Sequence, residues 1–69
     1  MHIILTEHAK KRLLERGICM RDIKRVIFVG ELLMTKIDGV QKIIDRKSNL
    51  IVICKTMKNL TIIITAYYV

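Results

Sequence analysis

The hydrophobic pattern changes its period once along this chain, and that change limits the folds open to it. Up to Val29, apolar residues recur every three or four positions, as on the buried side of a helix. From Leu32 onward they occur in short runs of Ile, Leu and Val between turn residues, as in strands. Helices followed by strands predict an α+β domain with two layers.

Two helices are predicted before the change of period. Thr6 is a good N-cap for the first helix, and Gly17 ends it in the left-handed conformation of a Schellman motif. Cys19 and Asp22 resemble a capping box at the start of the second helix, which ends at Gly30. The buried stripe of the second helix is expected to contain Met20, Ile23, Val26 and Ile27.

Four strands are predicted after the helices, and all are expected to be antiparallel. Asp38-Gly39 favours a two-residue type I′ turn, and Lys58-Asn59 favours a second tight reversal. The predicted strands are Leu32 to Asp38, Val40 to Asp45, Leu50 to Met57 and Leu60 to Val69. We therefore expect two N-terminal helices packed on a four-stranded antiparallel β-meander.

Pairing of Met57 with Leu60 would assign the side chains of the last hairpin to two faces. The face expected to receive the helices carries Ile51, Ile53, Ile62, Ile64 and Ala66. The opposite face carries Thr56, Cys54, Val52, Thr61, Ile63, Thr65 and Tyr67. Its mixture of hydroxyl and apolar groups is expected to line a shallow cleft.

Length and charge narrow the class of protein. A chain of 69 residues allows one domain, spanning residues 1–69. Thirteen Lys and Arg against six Asp and Glu give a formal charge of +7, which favours polyanions such as nucleic acid. The plainer explanation of this charge is solubility together with a compositional bias toward Lys and Ile.

Compartment is inferred from the cysteines and the apolar runs. Cys19 and Cys54 lack the clustered spacing of a disulfide framework. The N-terminus lacks the apolar region of a signal peptide, and runs such as Leu50 to Cys54 are far shorter than the roughly 20 residues of a membrane span. We expect a cytoplasmic protein without membrane contact.

His8, Arg12 and Arg16 recur at steps of four along the first predicted helix, so they form one stripe on its surface. The stripe borders the apolar side of the helix and is expected to edge a groove. Imidazole changes charge near neutral pH, and guanidinium donates paired hydrogen bonds to phosphate. The structural alternative is that His8 packs against the core while the two arginines cover it and pair with Glu15.

Three segments together resemble a known family. They are the motif T-x-H-A-x-x-R-x-x-E-R-G-I from Thr6, a second helix ending in Gly30-Glu31, and the ending Ile64-Thr65-Ala66-Tyr67. They are similar to a small prokaryotic domain family related to the RelE/ParE-like toxins, within the barnase, EndoU, colicin and RelE nuclease group. The resemblance covers nearly the whole chain and implies a RelE-like fold. Cys19 departs from it, because the family usually has Ser or Thr there.

The resemblance implies a metal-independent endoribonuclease of a toxin-antitoxin-like system, in which the ribose 2′-hydroxyl attacks the adjacent phosphate. In that chemistry His8 moves protons, and Arg12 or Arg16 stabilises charge on the phosphoryl oxygens. Thr65 or Tyr67 orients the scissile group, and no cofactor is needed. Contacts to nucleic acid are expected from Lys11, Arg12, Arg16, Lys42 and Arg46.

The expected partners are RNA and, as in toxins of this group, an acidic antitoxin that covers the basic groove. The last strand is rich in Ile and Thr and ends in Tyr67, Tyr68 and Val69. If it is unpaired, it favours pairing with another chain, including a homodimer.

Two other interpretations need different chemistry. The same basic stripe and sheet would also serve a non-catalytic nucleic-acid-binding or protein-interaction module. A metal site would have to use His2, His8, Cys19 and Cys54. These residues have no spacing that recurs in zinc modules, so we expect no metal.

Overall fold

The computed structural model describes residues 2–33 and 35–69, which form one five-stranded sheet and two helices. The helices are α1 (Glu7–Arg16) and α2 (Met20–Val29). The strands are β1 (His2–Leu5), β2 (Glu31–Leu33), β3 (Val40–Asp45), β4 (Leu50–Met57) and β5 (Leu60–Tyr68). Across the sheet the strands lie in the order β1-β5-β4-β3-β2. The α+β class is confirmed.

The sheet is mixed, so the predicted four-stranded antiparallel meander is wrong. β1 is a fifth strand that runs parallel to β5, with His2 opposite Leu60 and Leu5 opposite Ile63. Four residues are too few to establish a strand by their own alternation, and the partner strand is at the other end of the chain. Because β5 pairs with both β1 and β4, it is not the edge strand expected from the sequence. The edges are β1 and β2.

α1 begins and ends where the sequence predicts. The hydroxyl of Thr6 accepts a hydrogen bond from the backbone N–H of Ala9 at 3.0 Å, as an N-cap does. Gly17 has φ +66°, and the N–H of Ile18 donates to the carbonyl of Leu13 at 2.9 Å. This is the Schellman geometry, which glycine adopts without steric cost.

α2 also has the predicted ends. The Asp22 carboxylate accepts from the backbone N–H of Cys19 at 3.2 Å and from its thiol at 3.1 Å. At the other end, the N–H of Gly30 donates to the carbonyl of Val26 at 2.8 Å. The expected stripe is confirmed, since Ile23 and Val26 are fully buried and Met20 and Ile27 pack beside them.

The first hairpin differs from the prediction. β2 ends at Leu33 instead of Asp38, and Met34, inside the predicted strand, lies outside the described residues. The Thr35 hydroxyl accepts from the N–H of Ile37 at 3.1 Å, a local bond that competes with strand pairing. Of the Asp38-Gly39 pair only Gly39 has a positive φ, +79°, as in a type II turn and not the predicted type I′.

A bulge in β5 shifts the alternation of its last residues. Met57 pairs with Leu60 as expected, but Cys54 pairs with Ile63 while Ile53 pairs with Thr65, so Ile64 is an extra residue. The helix-facing side chains of β4 and β5 include Leu50, Val52, Cys54, Ile63 and Ala66, all at most 1% exposed.

The predicted assignment of the faces is therefore wrong. Of the residues expected to face the helices, only Ala66 belongs to the cluster that packs against them. Both faces of this hairpin carry apolar residues, so the apolar pattern does not show which of them the helices cover. The bulge changes only the end of β5, where it moves Ala66 onto the helix-facing side.

Each helix packs against a different pair of strands. α1 packs against β5 and β1, and α2 packs against β3 and β4. Ala9 and Leu13 of α1 and Ile23 and Val26 of α2 bury their side chains in the shared core. In the part of the chain that the structure describes, no helix has the length and apolar character needed to cross a membrane.

Candidate functional site

The stripe predicted on α1 lies on the surface of the helix beside β5. His8 is exposed in the first turn, and Arg12 is half-buried one turn later. The Nη1 atom of Arg12 lies 3.1 Å from Oε2 of Glu15, so this arginine already has a carboxylate partner. About 40% of the Arg12 side chain remains exposed, so this pair adds little stability and water or a phosphate can compete with it.

Arg16 joins the end of α1 to β5. Its Nη1 donates to the carbonyl oxygen of Ala66 at 2.7 Å and lies 3.5 Å from the Thr65 hydroxyl, the outer limit of a hydrogen bond. β1 pairs with β5 only as far as Ile63, so Arg16 contacts β5 beyond the last residue covered by that strand. A guanidinium has five N–H donors, which leaves several for a ligand.

The structure thus brings together two of the five predicted catalytic residues, Arg16 and Thr65. Thr65 and Tyr67 are half-buried on the same face of β5, opposite Ile53 and Ile51 of β4. His8 and Arg12 share the helix surface with Arg16 through their spacing of four residues.

The five predicted nucleic-acid contacts are not gathered in one place. Lys11, Arg12 and Arg16 belong to α1, whereas Lys42 is half-buried in β3, two strands from β5. Arg46 follows β3, where its Nε lies 2.7 Å from Oε2 of Glu31. This ion pair lowers the pKa of Glu31 and raises that of Arg46.

The surface nevertheless has a large excess of cations without acidic partners. Among the described residues, the cations within 4 Å of a carboxylate are Lys10, Arg12, Arg25 and Arg46. The other nine of the thirteen Lys and Arg have no carboxylate partner there. Each such cation is able to neutralise a phosphate and release counterions.

Three clefts lie away from the α1 stripe. The first cleft has a volume of about 800 Å³ and lies beside the Arg25–Asp45 and Arg46–Glu31 ion pairs. The second cleft has a volume of about 400 Å³ and lies at the C-terminal end of α2. A third, of about 560 Å³, adjoins the Lys58-Asn59 turn. The second cleft is lined by Cys54 and Thr56, which belong to the face expected to line a shallow cleft, and also by Phe28 and Gln41, which were not expected there.

The cysteines and histidines do not converge on a metal site. Cys19 is an exposed free thiol, and Cys54 is a buried one whose pKa is raised by desolvation. Across residues 2–33 and 35–69, no three His, Cys, Asp or Glu side chains are grouped so that they could hold a metal ion.

Family comparison places residues 5–68 in the family described as "Domain of unknown function (DUF4258)". Because the match covers nearly the whole chain, the protein belongs to the DUF4258 family. No curated protein and no solved structure matches the chain. The family assignment itself carries no activity.

Proposed function

We propose that this protein is an endoribonuclease of the RelE/ParE-like type, which binds a phosphodiester of RNA beside α1 and β5. The observation that supports this most directly is the approach of Arg16 to Thr65, at 3.5 Å. This contact joins a cation of α1 to a hydroxyl of β5. The resemblance of the Thr6 motif and of the C-terminal segment to the RelE/ParE-like toxins implies that both groups belong to one site. The unpaired cations provide the attraction for RNA.

The reaction assigns a role to each residue of the site. The ribose 2′-oxygen forms a bond to phosphorus while the bond from phosphorus to the 5′-oxygen breaks. His8 carries out one of the two proton transfers, from the 2′-hydroxyl or to the 5′-oxygen, and a water molecule carries out the other. Arg12 and Arg16 stabilise the charge on the phosphoryl oxygens, and Thr65 or Tyr67 orients the phosphate. The products are a 2′,3′-cyclic phosphate and a 5′-hydroxyl, so no metal or cofactor enters the step.

A non-catalytic RNA-binding module is the second candidate, and the Arg12–Glu15 pair favours it. An arginine already paired with a carboxylate contributes less to transition-state stabilisation, yet the remaining cations would still bind phosphates. The two candidate functions predict different effects of removing the His8 imidazole: a nuclease loses its cleavage rate, whereas a binding module has no cleavage to lose.

The proposal also includes a protein partner. An acidic antitoxin would be attracted to the same unpaired cations and would block RNA access. Strand pairing with a partner or with a second copy would have to use β1 or β2, because these are the edges of the sheet.

The two candidates are separated by substitution of His8, with His2→Ala as the matched control. Cleavage of a single-stranded RNA is measured in EDTA, and binding is measured by fluorescence anisotropy with an oligonucleotide whose 2′-hydroxyls are absent. We expect His8→Ala to slow cleavage by about 10²- to 10⁴-fold while binding stays within about twofold. His2, exposed on β1, should be replaceable without effect on either quantity.

Two results would contradict the proposal in different ways. If wild-type protein binds the oligonucleotide but releases no cyclic phosphate, the non-catalytic module is the correct function. If His8→Ala cleaves as fast as wild type, the reaction stands but the imidazole is not part of it.

A further inference from the structure

The cleft at the C-terminal end of α2 has the composition of a binding site for a flat, partly polar ring. Its volume is about 400 Å³. Apolar side chains that line it include Phe28, Leu32 and Ile43, and polar ones include Gln41 and Thr56. Sites for small ligands commonly combine apolar walls with a few hydrogen-bonding groups in this way.

The hydrogen bonds inside the cleft orient the amide of Gln41. Its Oε1 accepts from the Thr56 hydroxyl at 3.0 Å, and the Cys54 thiol lies 4.0 Å from the same oxygen. Both neighbours donate to the oxygen, and no hydrogen bond from the amide NH₂ group is found among the described residues. The Thr56 oxygen retains lone pairs, so the cleft presents an available donor next to an available acceptor.

An aromatic ring stands at the same cleft. Phe28, the single phenylalanine of the chain, is 70% exposed although it is a large apolar side chain. Exposed aromatic rings act as stacking surfaces for unpaired bases of nucleic acids. The Watson–Crick edge of each base places a donor beside an acceptor, which matches the pair offered by Gln41 and Thr56.

Two cations of α2 lie on the same side of the helix as the Phe28 ring. Arg21, Lys24 and Phe28 are all exposed and are spaced by three and four residues, so they share one side of the helix. Neither Arg21 nor Lys24 has a carboxylate within 4 Å among the described residues. A strand with its base at Phe28 would have its phosphates within reach of these cations.

We infer that the α2 cleft binds one base of a single-stranded RNA, stacked on Phe28 and hydrogen-bonded to Gln41 and Thr56. The inference rests on the proposed function in taking RNA as the ligand, but it does not require cleavage. It assigns to the far side of the molecule a base-binding role that is separate from the α1 stripe.

The test uses uridine, which has a base but no phosphate, and ribose 5-phosphate, which has a phosphate but no base. Each is titrated into ¹⁵N-labelled full-length protein, and the resonances of the Gln41 side-chain amide and the backbone at Phe28 are followed. We expect uridine to shift both with a Kd on the order of 1 mM, and ribose 5-phosphate to leave them unchanged.

Four variants make the test specific. Phe28→Leu keeps an apolar side chain without a π face, and Gln41→Glu keeps the acceptor for Thr56 and Cys54 but removes the NH₂ donor. Each is expected to weaken uridine binding about tenfold. Phe28→Tyr keeps an aromatic ring and should bind uridine as wild type does. Leu14→Ala removes a side chain that is 85% exposed on α1 and should also leave uridine binding unchanged.

The outcomes separate this inference from the proposed function. If uridine shifts neither resonance, or if Phe28→Leu binds uridine as wild type does, the base site is wrong. A loss of dimer in sedimentation with Phe28→Leu, without a uridine effect, would mean that a second copy of the chain occupies this surface instead. If uridine binds but no RNA is cleaved, the base site stands and the nuclease proposal fails.

Discussion

The Nε atom of Arg25 in α2 lies 3.1 Å from Oδ2 of Asp45 at the end of β3, and this ion pair connects the helix layer to the sheet. Asp45 also accepts from the Ser48 hydroxyl at 2.9 Å and from the backbone N–H of Lys47 at 3.3 Å. The hydrogen bond from Ser48, followed by the bond to Arg25, lowers the pKa of Asp45. One carboxylate therefore holds both the turn between β3 and β4 and the adjoining helix.

The lowered pKa predicts an acid-sensitive contribution to stability. A carboxyl with a lower pKa in the folded state stabilises the fold above its unfolded pKa of about 3.9, and this is lost as pH falls through the folded value. Asp45→Asn should lower the free energy of unfolding at pH 7, and its difference from wild type should shrink below about pH 4. Urea unfolding from pH 7 to pH 3 measures this.

The matched control for this prediction is Asp38→Asn, in the exposed turn before β3. Asp38 forms no ion pair within the described residues, so Asp38→Asn shows the effect of removing a carboxylate that has no cationic partner there. A difference for Asp45→Asn that stays constant between pH 7 and pH 3 would show that its carboxylate does not contribute through ionisation.

Gly30 is predicted to resist replacement because of close packing. A Cβ at Gly30 would clash with the carbonyl oxygen of Val26, and it would meet Ile43 Cγ2 at 2.6 Å and the carbonyl oxygen of Ile44 at 2.9 Å. Gly30→Ala should therefore lower the free energy of unfolding by about 1–3 kcal/mol. Gly39→Ala is the comparison, because there a Cβ has space but φ is +79°. If Gly39→Ala costs more than Gly30→Ala, the strain of a positive φ outweighs the close packing at Gly30.

The sequence predicts those parts of the fold that depend on local interactions. Thr6 and Gly17 define α1 through capping bonds within one turn, so their residue types suffice. β1 was missed because its pairing with β5 is a contact between opposite ends of the chain. The faces of β4 and β5 were assigned the wrong way round because both carry apolar side chains, and the extra residue Ile64 then shifts the alternation of the residues after it.

In the candidate site, too, the sequence predicts the local arrangement of residues but not the contacts between distant parts of the chain. The helical repeat predicts that His8, Arg12 and Arg16 share a surface. The approach of Arg16 to Thr65 spans 49 positions, and no local pattern indicates it; the family resemblance only assigned both residues to one site. Thr56 lies on the face expected from the sequence to line a cleft, but nothing in the sequence indicated its contact with Gln41, which depends on the register of β3 with β4.

Two neighbouring isoleucines test which face of β5 the helices cover. Ile63 is fully buried beneath the helices, whereas Ile62 is half-buried on the opposite face. Ile63→Ala should cost about 2–5 kcal/mol of unfolding free energy, and Ile62→Ala should cost clearly less. Ile63→Val, with an expected cost of about 1 kcal/mol, provides the measurement if the alanine variant does not fold. The reverse ranking would restore the face assignment made from the sequence.

Lys58 is predicted to be a site where replacement by glycine stabilises the protein. It has φ +50° in the reversal between β4 and β5, a region in which its Cβ approaches the following carbonyl. Lys58→Gly removes that strain, although it adds freedom to the unfolded chain, so we expect a net gain of up to about 1 kcal/mol. Asn49→Gly, at φ +58°, is the control and should gain less because asparagine tolerates this conformation. Thermal unfolding of both variants measures the difference, and a lower Tm for Lys58→Gly than for wild type would contradict the strain at this turn.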